Sequence, residues 1–191
     1  MAAPAPRDRR QALYDAYCAV PSHQRAEIVD GTLYVLPRPA PRHANATSVL
    51  GGELNGAFQR GRGGPGGWWI LFEPELQLLA LEPMVLDLAG WRVDRLPALP
   101  ETSHFSIAPD WICEVLSKST EAVDRNKKLP IYATHGISHV WLVDPIAKTL
   151  EVYSLDSDRR WRDVRVYEGD ARVRAQPFEA IELDLAGLWV R

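Results

Sequence analysis

The chain lacks what several function classes require. Cys18 and Cys113 are its only cysteines among 191 residues, and they form no CxxC unit, so neither a disulfide framework nor a cysteine-rich zinc site is expected. No apolar run approaches the roughly 20 residues of a bilayer span, so no transmembrane helix and no membrane partner are expected. The five histidines offer no paired ligand spacing on one helix, which disfavours a zinc hydrolase, and Ser117 lies in no nucleophile elbow. The glycine-rich run from Gly61 to Gly67 lacks both the Gly-Lys-Ser/Thr of a phosphate cradle and a GxGxxG after a strand, so it reads as a flexible loop. A net charge of −3 argues against coating nucleic acid by bulk positive charge, but it leaves room for a local basic cleft. The first ten residues have no apolar stretch after their charges, so no secretory signal is expected and the location inferred is cytoplasmic.

What is present fits one domain with a full core. The expected organisation is a flexible N-terminus over 1–10 and a single domain over 11–191. A first helix is expected from Arg9 to Val20. Asp30-Gly31, between Ala26–Val29 and Thr32–Val35, is a strong hairpin signal. His43 to Arg60 reads as a helix with Val49, Leu50, Leu54 and Phe58 on one stripe, and its Gly51, Gly52 and Gly56 either weaken it or mark close packing. Strands are expected at 68–79, 84–91, 110–116, 139–143, 150–153 and 161–167. A helix from the Ser117–Thr120 turn to Gly136 should kink near Lys128, because Pro130 removes a helical N–H. The pattern is a mixed sheet with two or three helices, an α/β or α+β domain.

Two acids stand where acids are costly. Asp87 lies in Met84-Val-Leu-Asp-Leu-Ala-Gly-Trp91 and Glu114 in Trp111-Ile-Cys-Glu-Val-Leu116, both apolar stretches that read as buried strands. A carboxylate desolvated there needs a positive partner, and a metal ion shared by neighbouring strands would supply one. Asp110 shares a face with Glu114 but is about 13 Å along the strand, too far for one ion. Asp87 can lie opposite Glu114, and Glu75, on the preceding strand, is expected to bring a third acid to the same edge. Asp124 and Lys128 have i, i+4 spacing, which alone suggests a surface ion pair. Downstream of two buried acids, Lys128 reads instead as a group that neutralises developing charge.

These residues resemble a family. Met84 to Arg92, Pro109 to Thr120, Asp124 to Gly136 with Lys128 and Tyr132, and Val140 to Pro145 together look like the Uma-type restriction endonucleases of the PD-(D/E)xK nuclease superfamily. The resemblance spans most of residues 10–190 and includes the hairpin from Glu27 to Pro37 and His43. It implies a restriction-endonuclease-like core, a mixed central β-sheet flanked by helices, with an N-terminal helix and β-hairpin. By position Asp87 takes the place of the motif Asp, with Leu86 where proline is usual. Glu114 takes the (D/E) position, Leu116 replaces the lysine two residues later, and Lys128 matches a lysine in the following helix.

The expected function is therefore divalent-metal-dependent hydrolysis of DNA phosphodiester bonds. Asp87, Glu114 and Lys128 are expected at the catalytic centre, and Asp87, Glu114 and Glu75 as ligands of Mg²⁺ or Mn²⁺. Glu27, His43, Asp124 and Tyr132 are supporting candidates, although His43 by itself reads more simply as a helix-start or hydrogen-bonding residue. Cutting two strands with one site per chain suggests a homodimer. Leu116 and the acidic net charge favour a second reading, a nuclease fold that has lost activity and serves binding or assembly. A third is a structural domain whose buried acids are satisfied by Lys128 and arginines.

Overall fold

The structure, a computed structural model, describes residues 6–190. Its centre is a six-stranded sheet in the order β10-β9-β8-β7-β6-β3. These strands are β3 (Trp68–Phe72), β6 (Leu88–Arg92), β7 (Trp111–Val115), β8 (His139–Asp144), β9 (Thr149–Leu155) and β10 (Trp161–Glu168). Within this sheet neighbouring strands are antiparallel except β7 and β8, which pair in parallel. The connection between them carries α3 (Glu121–Val123), a π turn (Asp124–Lys128) and α4 (Leu129–Thr134), since a parallel pair needs a long crossover. This is the mixed α/β architecture that the sequence pattern implies.

Alternation along β7 divides the core. Trp111, Cys113 and Val115 face a cluster that includes Trp141 and Phe178, while Ile112 and Leu116 face one that includes Leu129 and Tyr132. The Trp111 and Trp141 rings meet edge to face at 5.3 Å, and both are fully buried, so these tryptophans are core rather than stacking platforms. Against the first face runs α2 (Pro41–Leu54), extended by a π turn through Gln59. It starts two residues earlier than its apolar stripe suggests, because Pro41 suits a helix's first turn. Gly51 allows close approach: a Cβ there would sit 2.2 Å from the Phe72 ring.

The N-terminal helix α1 spans Pro6–Cys18, three residues earlier at its start than expected. Helix α1 thus includes the second half of the 1–10 segment, and residues 1–5 lie outside the described residues. The hairpin of β1 (Arg25–Val29) and β2 (Thr32–Leu36) forms as expected, with Asp30 and Gly31 at φ 51° and 66°, the positive pair a two-residue turn needs.

Two expected strands are each broken. The 68–79 run divides into β3 and β4 (Glu75–Leu79), and the 84–91 run into β5 (Glu82–Val85) and β6. Glu73 at φ 48° followed by Pro74 turns one strand, and its partner bends at Leu86-Asp87. The bends are tied together by Glu73 N–H to Asp87 O (3.1 Å) and Leu86 N–H to Pro74 O (3.2 Å). The β4–β5 hairpin therefore leaves the main sheet, and Asp87 sits at a bend rather than within a strand.

Candidate active site

The bend sets Asp87 beside Glu114. Leu88 pairs with Cys113 in the β6–β7 ladder, so Asp87 and Glu114 follow as the next opposed residues at its end. The Val115 amide donates to Asp87 Oδ2 at 2.8 Å, and the Asp87 amide points at Glu114 Oε2 at 3.4 Å. His43, in the first turn of α2, lies 3.0 Å from Asp87 Oδ2 through Nε2. Arg25, at the start of β1, lies 3.7 Å from Asp87 Oδ1 while pairing with Glu73 at 2.8 Å.

Lys128 is buried at 3% exposure, and its Nζ meets three carboxylates: Glu27 at 3.0 Å, Asp124 at 3.2 Å and Glu114 at 3.3 Å. The Asp124–Lys128 pair is therefore interior, not a surface pair. The π turn carries both residues on the buried side just ahead of Pro130, where a helix already lacks an N–H. Lys127 instead reaches Asp30 at 3.3 Å on the exposed side. Tyr132 donates its hydroxyl to Glu114 Oε1 from α4. Glu27 arrives on β1, where it also accepts the Val85 amide at 3.3 Å.

One ammonium cannot neutralise three carboxylates, and the ionisation of the group reflects this. Burial, with Asp124, Asp87 and Glu27 close by, pushes Glu114 up to about 8 despite Lys128. Asp124 is likewise raised, chiefly by burial. Burial also acts against ionised Asp87, but His43, the Val115 amide and Lys128 outweigh it and hold Asp87 below the usual carboxylate range. Burial works against charged Lys128 too, yet its three acids keep its pKa well above the ordinary value. Burial and Glu114 raise the Tyr132 hydroxyl, which remains a donor.

Glu75 does not join this group. Its hairpin turns away at Glu73-Pro74, and its carboxylate accepts the Tyr17 hydroxyl at 2.8 Å. Arg25 is the residue that the sequence argument missed. It is two positions before Glu27 on one strand and so shares its face, a signal available from alternation.

These side chains lie at a cavity of about 640 Å³. Asp87, Glu114, Glu27, Asp124 and Lys128 line it, together with Arg38, Arg42 and Lys118 and the apolar Leu36, Pro37, Ile146 and Val190. The donor set suits a hard divalent cation: two opposed carboxylates line one cavity, burial and neighbouring acids work against charge on Glu114, and Mg²⁺ needs only one or two such ligands. Among the described residues, no group of three or more His, Cys, Asp or Glu is arranged to hold an ion, so the fit rests on Asp87 and Glu114 alone.

Comparison with known proteins agrees with this architecture. No curated protein matches the chain. Among solved structures, a crystal structure titled as a putative nuclease belonging to DUF820, from Anabaena variabilis ATCC 29413, superposes with a TM-score of 0.73 at 22% identity. The match covers 92% of this chain and 96% of that one, and it establishes a shared fold, restriction-endonuclease-like as the motifs imply. The Uma2 family, described as "Putative restriction endonuclease", matches residues 12–186. The chain belongs to that family.

Proposed function

We propose that the protein is a divalent-metal-dependent endonuclease hydrolysing DNA phosphodiester bonds, with Asp87 and Glu114 as the ligands of Mg²⁺ or Mn²⁺. The observation that carries this reading is the opposed pair of buried carboxylates beside a lysine already shared by three acids. Family membership supports it, since restriction-endonuclease-like proteins generally use divalent metals and act on DNA. A bound cation supplies Lewis-acid stabilisation of phosphate charge and a more acidic water.

The chain's own residues set the geometry for that chemistry. The Val115 amide and His43 fix the rotamer of Asp87, leaving its Oδ1 toward Arg25. Tyr132 and Lys128 hold Glu114 Oε1, leaving Oε2 near the Asp87 amide. Lys128 places a permanent positive charge at the cavity floor, where it stabilises negative charge developing on the phosphate oxygens. It supplies from the helix what Leu116, buried two residues after Glu114, lacks. Glu27 and Asp124 hold that ammonium in place.

A second reading is a non-catalytic binding protein on the same fold. It is favoured by Leu116 and by the saturation of Lys128 with carboxylates. Incubation of the purified protein with DNA in Mg²⁺, Mn²⁺ or EDTA separates the two. Metal-dependent cleavage absent from Asp87→Asn supports the nuclease, whereas DNA binding without cleavage under any metal supports the second reading.

A further inference from the structure

We propose that the cavity takes an unpaired DNA strand, so that the scissile phosphate belongs to a single-stranded segment rather than to an intact duplex; this rests on the nuclease reading above. Depth is the first observation. Glu114 is 2% exposed, Lys128 3% and Asp87 7%, so these groups lie at the floor of the cavity rather than at its rim. A duplex presents its phosphates on a rigid outer surface, and one helical turn extends about 34 Å. A duplex offers such a cavity only the ridge of its backbone, whereas a volume of about 640 Å³ lies within the roughly 300–1,000 Å³ range of sites that enclose a small organic ligand. One nucleotide with its phosphate is of that size.

The walls match an unstacked nucleotide in chemistry as well. The lining includes Leu36 at the end of β2 and Pro37 just after it, together with Ile146, which is 56% exposed, and Val190, which is 43% exposed. Exposed aliphatic side chains at a mouth lose unfavourable hydration when a base or sugar covers them. A paired and stacked base has no face free to do so, whereas an unpaired one does.

Charge gives the direction of entry. Arg38, Arg42 and Lys118 line the cavity on its exposed side, and none of the three forms an ion pair among the described residues. By contrast Arg25 and Lys128, which line the same cavity, are already paired with acids. Three uncommitted cations around an acidic floor attract a phosphate backbone to the rim and leave the metal ligands beneath it. A single strand is flexible enough to pass the rim and bend down to the floor. Such a substrate is cut by one site, so it removes the need for a second copy of the chain.

The test uses the full chain and DNA of one sequence in three forms: a fluorescent single strand, a blunt duplex, and a duplex carrying a single-stranded flap. Binding is measured by anisotropy without divalent metal, and cleavage is measured in Mg²⁺ or Mn²⁺. The expected result is at least tenfold tighter binding of the single strand and flap than of the blunt duplex, with Ile146→Glu reducing single-strand binding severalfold. In metal, cleavage falls within the unpaired segment. Equal or tighter binding of the blunt duplex, or cleavage of covalently closed duplex as fast as single strand, overturns the proposal while leaving the nuclease reading intact. Selective single-strand binding with no cleavage in any metal keeps the occupant of the cavity and overturns the nuclease reading instead.

Discussion

Asp87 and Glu114 are each positioned by the other's backbone. The amide following Glu114, that of Val115, donates to Asp87 Oδ2 at 2.8 Å, and the amide of Asp87 faces Glu114 Oε2 at 3.4 Å. The two carboxylates are thus held by the end of the β6–β7 ladder, and neither can be removed without disturbing the other. Asp87→Asn keeps an acceptor for the Val115 amide and should fold normally while losing metal-dependent cleavage. Asp87→Ala leaves that buried amide unsatisfied and should also lose about 1–3 kcal/mol of stability. Urea denaturation of both variants, run beside the cleavage assay, checks this; equal stability of the two would show that the Val115 contact carries no weight.

The metal-free protein should become less stable as pH rises. Glu114, at about 8 in the folded chain, has an ordinary value of 4.5, so the folded state binds more protons than the unfolded one between those limits. Its contribution is complete below about 4.5 and lost as pH passes about 8. Asp124, raised as well, acts in the same sense. Asp87, lowered, titrates below this window and does not oppose the trend. His135 and His139, both lowered chiefly by burial, oppose the trend only around and below their ordinary value of 6.5, so in EDTA the melting temperature should be higher at pH 7 than at pH 8.5, and Glu114→Gln should flatten the slope. A melting temperature that climbs across this range would contradict the charge imbalance at the site.

Much of this was legible in the sequence, for local reasons. Asp30-Gly31 specifies its turn because few other pairs accept two positive φ values, and the hairpin follows. Asp87 and Glu114 stand out because carboxylates rarely interrupt apolar strands, and the ladder does oppose them. What could not be read depended on partners distant in sequence. The bend at Asp87 is coupled to Glu73-Pro74 across the neighbouring strand, and that bend carries Glu75 to Tyr17 instead of to the site. The π turn at Asp124–Lys128 buries an i, i+4 pair whose spacing alone describes an exposed one. Neither feature has a signature shorter than the tertiary fold.

Mg²⁺ or Mn²⁺ at millimolar concentration should raise the melting temperature by mass action on the folded state, most clearly near pH 8, where Glu114 loses its proton. Glu75→Gln should leave that metal response unchanged, because Glu75 lies with Tyr17 outside the cavity. Asp87→Asn should abolish most of it. Thermal scans of the three proteins with and without metal decide the ligand set. A response lost in Glu75→Gln would restore that residue to the site and displace the geometry described above.

Lys128 should matter to stability as well as to chemistry, and the two effects can be separated. Lys128→Met retains the aliphatic stem and removes the ammonium, leaving Glu27, Asp124 and Glu114 buried together without their shared cation. Breaking a buried ion cluster from one side typically costs about 3–5 kcal/mol, so the melting temperature should fall on the order of 10 °C. If unpaired negative charge is the cause, adding Glu27→Gln to Lys128→Met should recover part of that loss while leaving cleavage absent. Recovery of stability without activity would assign the ammonium a role at the phosphate beyond holding the fold together. Lys127→Ala, one residue earlier and paired on the surface with Asp30, should leave the melting temperature unchanged. A larger loss in Lys127→Ala than in Lys128→Met would mean that the π turn presents the other lysine to the acids.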